Sequence, residues 1–338
     1  MKLYLSGLKY ILLLVVGIGL MILAFRGQDL DQLTFILRNA HYGWVTASLA
    51  ACLLAHILRA YRWRMMISTL GHGTPSLLNI NYAVMIGYMA NVAFPRMGEI
   101  SRCGVINRTD RIPLAKLIGT VIVERVIDLL MFAIVIALTL ILQFDVLSQF
   151  LYRNVISKMN GSSGNLAILI FAAGILFAAI ALFYVLMKKR KWGIRDRIYN
   201  LFIDLRSGIF SVKDVGNKTA FIASSVIIWF LYGLSTYLCF FAISSTSGLD
   251  GLAALSTLMF SGLGMIAPVQ GGIGAFHWMV SEGLEIYNIP KSEGLAYALL
   301  IHTSQTLLIL LAGALSLVML MLKSPKSNAN GQASEYTA

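Results

Sequence analysis

Glu124, Arg125 and Asp128 stand close together inside an apolar run, 114–142. If that run crosses a membrane as a helix, each charge costs ~2.5–3.5 kcal/mol on insertion scales, so the group needs a purpose. Helical spacing puts Glu124 and Asp128 on one face and brings Arg125 within reach of Asp128 at i, i+3. Three charges cannot all pair with one another, so one carboxylate must look to another element; a self-neutralising structural ion pair is the competing reading. Candidate partners come earlier in the chain. His56, Arg59 and Trp63 follow one helical face with Arg62 beside them, while Arg96, Glu99 and Arg102 flank a Pro-Gly break. Arg59, Arg62, Arg96, Arg102 and Arg125 outnumber Glu99, Glu124 and Asp128 by two charges. The planar fork of arginine matches phosphate oxygens two at a time, so binding a phosphate-bearing group is the chemistry this set suits. Arg62 and Arg64, close to the end of a span, read more simply as side chains reaching for inner-leaflet headgroups.

A second set of residues carries a different chemistry. The segments 91–102 (NVAFPRMGEISR) and 265–277 (MIAPVQGGIGAFH) each interrupt an apolar stretch, and Pro95 and Pro268 lie 173 residues apart in a chain of 338. Proline removes a backbone donor and glycine relaxes the helical restraint, so each segment predicts a broken or re-entrant helix. Paired breaks in matching places point to the binding site of an inverted-repeat transporter. Gly271, Gly272 and Gly274 allow close backbone approach, and a half-helix starting after them would turn its positive dipole end towards an anion. His277, and His302 with Gln305 in the last span, supply polar contacts or a proton site; a satisfied interhelical hydrogen bond is the simpler role for each.

The elements that must hold these residues are helices in a bilayer. Hydrophobic residues make up 58% of the chain, charged ones 12%, and the mean hydropathy is +0.78, values that exclude a soluble globular protein of this size. Full spans are expected near 8–25, 42–60, 114–142, 166–187, 219–243 and 295–322, with shorter or interrupted apolar stretches at 77–94 and 252–288. The first is expected to be retained, since Phe25-Arg26-Gly27 offers no cleavage site. Cys52, Cys103 and Cys239 are scattered, which argues against a disulfide framework, and no metal or other cofactor is expected. The net charge of +12 sits in short loops, where a positive-inside bias explains it without nucleic acid.

Charge bias then orients the chain. Basic residues before the first span, after the second, after the first break, throughout 188–218 and after the last span belong inside; 26–41, 143–165 and 282–293 face outward. The fold class expected is an all-α polytopic membrane protein: two inverted repeats, about six full spans and two broken or re-entrant hairpins. A single integral domain over 1–322 divides into repeats near 1–143 and 166–322. Within 188–218, Trp192, Ile194, Ile198, Leu201, Phe202, Leu205 and Ile209 recur at helical spacing and predict an amphipathic helix on the inner leaflet. The polar tail 323–338 is expected to be disordered.

Arg59-x-x-Arg62-Trp63, Asn91…Pro95-Arg96-Met97-Gly98-Glu99-x-x-Arg102, Glu124-Arg125-x-x-Asp128 and Pro268-x-x-Gly271-Gly272-Ile273-Gly274 occur in that order. Together they resemble the flippase-like transmembrane domain of lysylphosphatidylglycerol synthetases, over nearly all of 1–322. The resemblance implies inverted repeats with re-entrant helices and the movement of aminoacylated or other anionic phospholipids between leaflets. His277 and His302 stand where the family usually carries a Glu and a basic residue, a departure that bears on which lipid is handled. The family's soluble aminoacyl-transferase domain has no counterpart here, so the chain is not expected to be an enzyme. The expected function is a flippase-like transporter of an anionic phospholipid or lipid-linked substrate in a bacterial cytoplasmic (inner) membrane, with both termini cytoplasmic. The alternatives are a non-transporting membrane accessory protein and an enzyme modifying a lipid headgroup. The expected substrate-binding residues are Arg59, Arg96, Glu99, Arg102, Glu124, Arg125, Asp128, Gly271, Gly272, His277 and His302.

Overall fold

The computed structural model describes residues 15–94, 97–151, 215–267 and 269–323. Among them every regular element is helical. We number the helices α1 (Val15–Phe25), α2 (Leu30–Arg38), α3 (Tyr42–Ile67), α4 (Leu77–Ala93), α5 (Met97–Asp110), α6 (Leu114–Leu142), α7 (Phe144–Leu151), α8 (Lys218–Phe240), α9 (Gly251–Ile266), α10 (Ala275–Glu285) and α11 (Lys291–Lys323). Four of them are long and apolar enough to cross a membrane: α3 with its 3-10 extension to Leu70 (29 residues), α6 (29), α8 (23) and α11 (33). The chain is a multi-pass membrane protein. The span expected at 166–187, the amphipathic helix of 188–218 up to residue 214, residues 8–14 and the tail beyond Lys323 lie outside the described residues.

Local chemistry explains where the helices begin and end. Ser76, Asn217 and Asp250 each accept a hydrogen bond from a first-turn amide, capping α4, α8 and α9. Two spans differ from their expected bounds. The second continues to Ile67, and as a 3-10 turn to Leu70, before Gly71 closes it at φ 72°; the last begins at Lys291, directly after Pro290.

Both breaks end one helix and start another. In the first, Asn91 on α4 accepts the Gly98 N–H of α5 at 2.7 Å, so a side chain replaces a bond that the interrupted backbone cannot make. In the second, Gln270–Gly272 forms a 3-10 turn and α10 starts at Ala275. Gly271, Gly272 and Gly274 take φ of 57°, 75° and 81°, a region that costs other residues ~1–2 kcal/mol each.

Packing places α3 and α8 side by side along their length, antiparallel. At one end the His41 N–H donates to the Ala242 carbonyl at 2.8 Å; in the middle Ser48 and Ser235 each donate to the other's carbonyl, at 2.7 and 2.9 Å. The hairpin α4/α5 packs on α11 and α6, the hairpin α9/α10 on α6 and α11, and the Gln270–Gly272 turn touches α4. One apolar core, around Trp63, Ile67, Ile80, Ile106 and Leu117, joins α3 to α6. A second, around Phe240, Ala253, Leu284 and Tyr297, joins α8 to α11.

Candidate functional site

The intramembrane charges meet in one buried cluster between α3, α5 and α6. Arg59 on α3 donates through Nη2 to Glu124 Oε1 at 2.7 Å and to Asp128 Oδ2, bridging the two carboxylates of α6. Arg62, one turn further, donates to Asp128 Oδ1 at 2.7 Å and to Ser225 Oγ on α8 at 3.2 Å. Arg102 on α5 approaches from the opposite side, its Nη1 3.0 Å from Glu124 Oε2 and 3.3 Å from Oε1. Glu124 and Arg62 have no exposed surface and Arg102 retains 3%.

Aromatic side chains hold this cluster in position. The Trp63 ring lies 4.6 Å beneath the Arg102 guanidinium, a cation–π contact, and its Nε1–H donates to Thr120 Oγ1 at 2.9 Å, which ties the platform to α6. Tyr232 on α8 accepts from Arg59 Nη1 at 3.4 Å, and the Tyr88 ring of α4 stands 6.0 Å from Arg59. His56 sits against Tyr88 and Tyr232 and bonds to Cys52 Sγ through Nε2 at 3.4 Å.

Several buried polar atoms have no hydrogen-bond partner among the described residues: Nε of Arg59 and Arg62, Nε and Nη2 of Arg102, His56 Nδ1 and Tyr88 Oη. On Arg102 the two form one edge of the guanidinium, the parallel pair of N–H groups that grips a carboxylate or phosphate from the side. Three arginines face two carboxylates here, which leaves one positive charge in excess. Buried cations without counter-charge are costly, so this centre suits an anion.

The placements differ in three ways from the spacing argument. Arg125 does not turn to Asp128, because Arg59 and Arg62 already occupy that carboxylate; it reaches across to Glu99 on α5, its Nη2 3.2 Å from Oε1. Arg62 is fully buried rather than directed at headgroups, because α3 runs past it for more than a further turn. Arg64 donates to the Pro75 carbonyl at 3.0 Å. Arg96 lies outside the described residues, as do Pro95 and Pro268. Tyr88, Tyr232 and Ser225 are contributors that spacing did not reveal; tyrosine and serine are common in apolar helices and give no signal there.

The glycine string and the two histidines form a separate group. His277 Nδ1 accepts the Gly274 N–H at 3.3 Å, and His302 Nε2 lies 2.8 Å from the Gly271 carbonyl. The two imidazoles stand edge to face at 4.8 Å. The amides of Gly272 and Ile273 are engaged within the turn, with Val269 and Gln270 carbonyls. A side chain on Gly274 would begin 2.4 Å from the Gly17 carbonyl of α1, so this string is where α1 crosses.

No solved structure matches the chain. A UPF0104 membrane protein of Methanocaldococcus jannaschii is 30% identical over 116 residues, which cover 33% of this chain and 34% of that protein; the match thus spans about a third of the relative's length. The description of the lysylphosphatidylglycerol synthase TM region matches residues 10–313, a stretch that includes the arginine–carboxylate cluster and both breaks, and the chain belongs to that family.

Proposed function

We propose that this chain moves an anionic, phosphate-bearing lipid between the leaflets of a cytoplasmic (inner) membrane, aminoacyl and glycosylated lipids being among the candidates, and seats its phosphate at Arg102. The observation that carries this reading is the edge of Arg102 that has no hydrogen-bond partner among the described residues. It offers two parallel N–H donors, out of water, beside a cluster with one positive charge to spare. A phosphate fits that edge in shape and in sign. The carboxylates face arginines rather than a nucleophile, which favours binding over acid–base catalysis.

These donor atoms are buried among the described residues, so a substrate reaches them only when helices repack. Two inverted repeats that rock against each other provide such a motion, and the packing supports them. Exchanging α3 with α8, α4/α5 with α9/α10, and α6 with α11 turns each contact among these helices into another that the protein makes. Arg59 and Tyr232 are 173 residues apart, the separation of Pro95 and Pro268, and they touch, as counterparts near a two-fold axis do. The orientation read from charge agrees with the contacts. His41, at the end of the segment read as outward, is hydrogen bonded to Ala242, at the far end of the 219–243 span, while Lys323 and Asn79 meet on the opposite side at 3.2 Å.

Leaflet-resolved lipid assays in reconstituted vesicles test the reading through Arg102→Lys, which keeps the charge and loses the fork. The variant is expected to fold and to move lipid at least tenfold more slowly. Movement at the wild-type rate would reduce the cluster to a brace between helices.

A further inference from the structure

The backbone decides which ring nitrogen of His277 and of His302 is free. A carbonyl only accepts, so the 2.8 Å contact with Gly271 makes His302 Nε2 a donor and leaves that ring's lone pair on Nδ1. An amide only donates, so the Gly274 N–H at 3.3 Å makes His277 Nδ1 an acceptor and puts that ring's hydrogen on Nε2. A proton joining His302 at Nδ1 keeps the Gly271 bond and strengthens it, because an imidazolium is the better donor. A proton joining His277 would need Nδ1, which the Gly274 amide occupies. The pair therefore takes one proton, on His302.

His302 is half-buried and lies about 17 Å of helix rise from Lys291, well inside α11. A cation there needs partners, and two are in place. One is the Gly271 carbonyl; the other is the Phe276 ring, whose centroid is 4.8 Å from that of His302, within reach of a cation–π contact. Competing charge is sparse. The helices α1 and α9 and the Gln270–Gly272 turn contain no ionisable residue, and α4 contains only Tyr82 and Tyr88. On α10, Glu282 is paired with Lys291. Tyr232 on α8 accepts from Arg59, and Arg59 and Arg62 on α3 are held by Glu124 and Asp128. On α11 itself, Tyr297 donates to the Thr236 carbonyl. Among the described residues, His277 is the ionisable group in ring contact with His302.

We propose that His302, with His277 as its neutral neighbour, binds one transported proton and couples the movement of the anionic lipid to it. The proton arrives from water on one side, forms the Nδ1–H bond of an imidazolium and leaves to water on the other side once helices repack. No other bond forms or breaks. One proton and one phosphodiester cancel in charge, so the two together cross without working against a membrane potential. The packing links the two sites. The Gln270–Gly272 turn that His302 holds touches α4, and Asn91 of α4 holds Gly98 of α5, the helix of Arg102. The coupling rests on the transport reading above; the proton site does not.

Solid-state NMR of the full chain in vesicles, labelled with ¹⁵N-histidine and followed between pH 5 and 8, counts the histidines that titrate. The chain has five histidines, of which His41 and His72 are exposed and His56 is buried beside Arg59. In the wild type His41, His72 and His302 are expected to titrate. His302→Gln keeps an N–H for the Gly271 carbonyl, has no basic nitrogen, and is expected to leave two. His277→Asn keeps an acceptor for the Gly274 amide and is expected to leave all three. An equal count in the wild type and His302→Gln, or a lower count in His277→Asn, would overturn the site. If His302→Gln does not fold, replacing His41 and His72 together with Gln is expected to leave one titrating histidine, and none would overturn the site equally.

The coupling is read in phosphatidylcholine vesicles that carry labelled phosphatidylglycerol and a pH difference of one unit. Relative to protein-free vesicles, the wild type is expected to shift the leaflet ratio of phosphatidylglycerol by up to about tenfold, the limit for one proton per lipid, and His302→Gln not at all. Movement without a shift would overturn the coupling and leave the transport reading standing. No movement by the wild type would overturn both, while the histidine count would still decide the proton site.

Discussion

Trp63 supports the site from below with one ring and two contacts. Its face carries the Arg102 guanidinium and its Nε1–H anchors it to Thr120, whose own hydroxyl also bonds to the Leu117 carbonyl at 2.7 Å. Trp63→Phe keeps an aromatic face and removes one hydrogen bond, so a loss of about 1 kcal/mol with transport retained is expected. Trp63→Leu removes the platform and leaves a void, at about 3 kcal/mol or more, and frees Arg102 to move. Thermal unfolding in detergent, read beside lipid movement, checks the pair; equal effects would mean that the face-on contact contributes nothing. Glu124→Gln belongs at the same scale. It preserves size, but Arg59 and Arg102 both depend on that charge, so about 3–5 kcal/mol of destabilisation is expected. A variant as stable as the wild type would contradict the pairing. Much of this cluster was legible because carboxylates in an apolar run are expensive and announce themselves, and because Arg59 shares a helical face with Trp63. The partners were not, since i, i+3 spacing shows only which charges can meet. Asp128 was claimed by two forks from another helix, and Arg125 was left to Glu99.

The hairpins depend on glycine for a different reason, closeness of approach. A Cβ on Gly98 would begin 2.1 Å from the Gly87 carbonyl, and one on Gly264 2.7 Å from Phe276 Cα. Gly98→Ala is expected to push α5 off α4, displace Arg102 with it and abolish lipid movement. Gly104, on the same helix with nothing within 4 Å, is the control. Gly104→Ala is expected to be neutral or to stabilise by up to ~1 kcal/mol through helix propensity. If the two alanines behave alike, the close approach of α4 and α5 does not matter. The breaks themselves were legible, because proline and glycine act on their own backbone. What each hairpin packs against was not. That depends on shape matches such as Gly313 with Met89, where a Cβ would begin 2.6 Å from the methionine's own, and neither residue signals its partner in the sequence.

At the scale of the molecule, orientation is the property on which every transport argument depends. The contacts establish which loops share a side, through His41 with Ala242 and Lys323 with Asn79, but packing is indifferent to which side faces the cytoplasm. Lys and Arg near the spans supply that information, since they resist translocation. The orientation proposed on that basis has the turn after α5 inside, beside Arg108, Arg111 and Lys116, and the loop between α8 and α9 outside. Thr109, in the last turn of α5 beside the first place, and Ser247, in the second, are both exposed. Cys52, Cys103 and Cys239 are all buried, so single cysteines introduced at Thr109 and Ser247 will dominate labelling by an impermeant thiol reagent. Ser247→Cys is expected to react in intact cells once any outer membrane is permeabilised, and Thr109→Cys only after the inner membrane is opened. The reverse pattern would invert the orientation and place the Arg102 seat nearer the opposite leaflet. Equal labelling of the two would put both loops on one side and dismantle the inverted-repeat reading, because α3 and α8 would no longer run as counterparts through the bilayer.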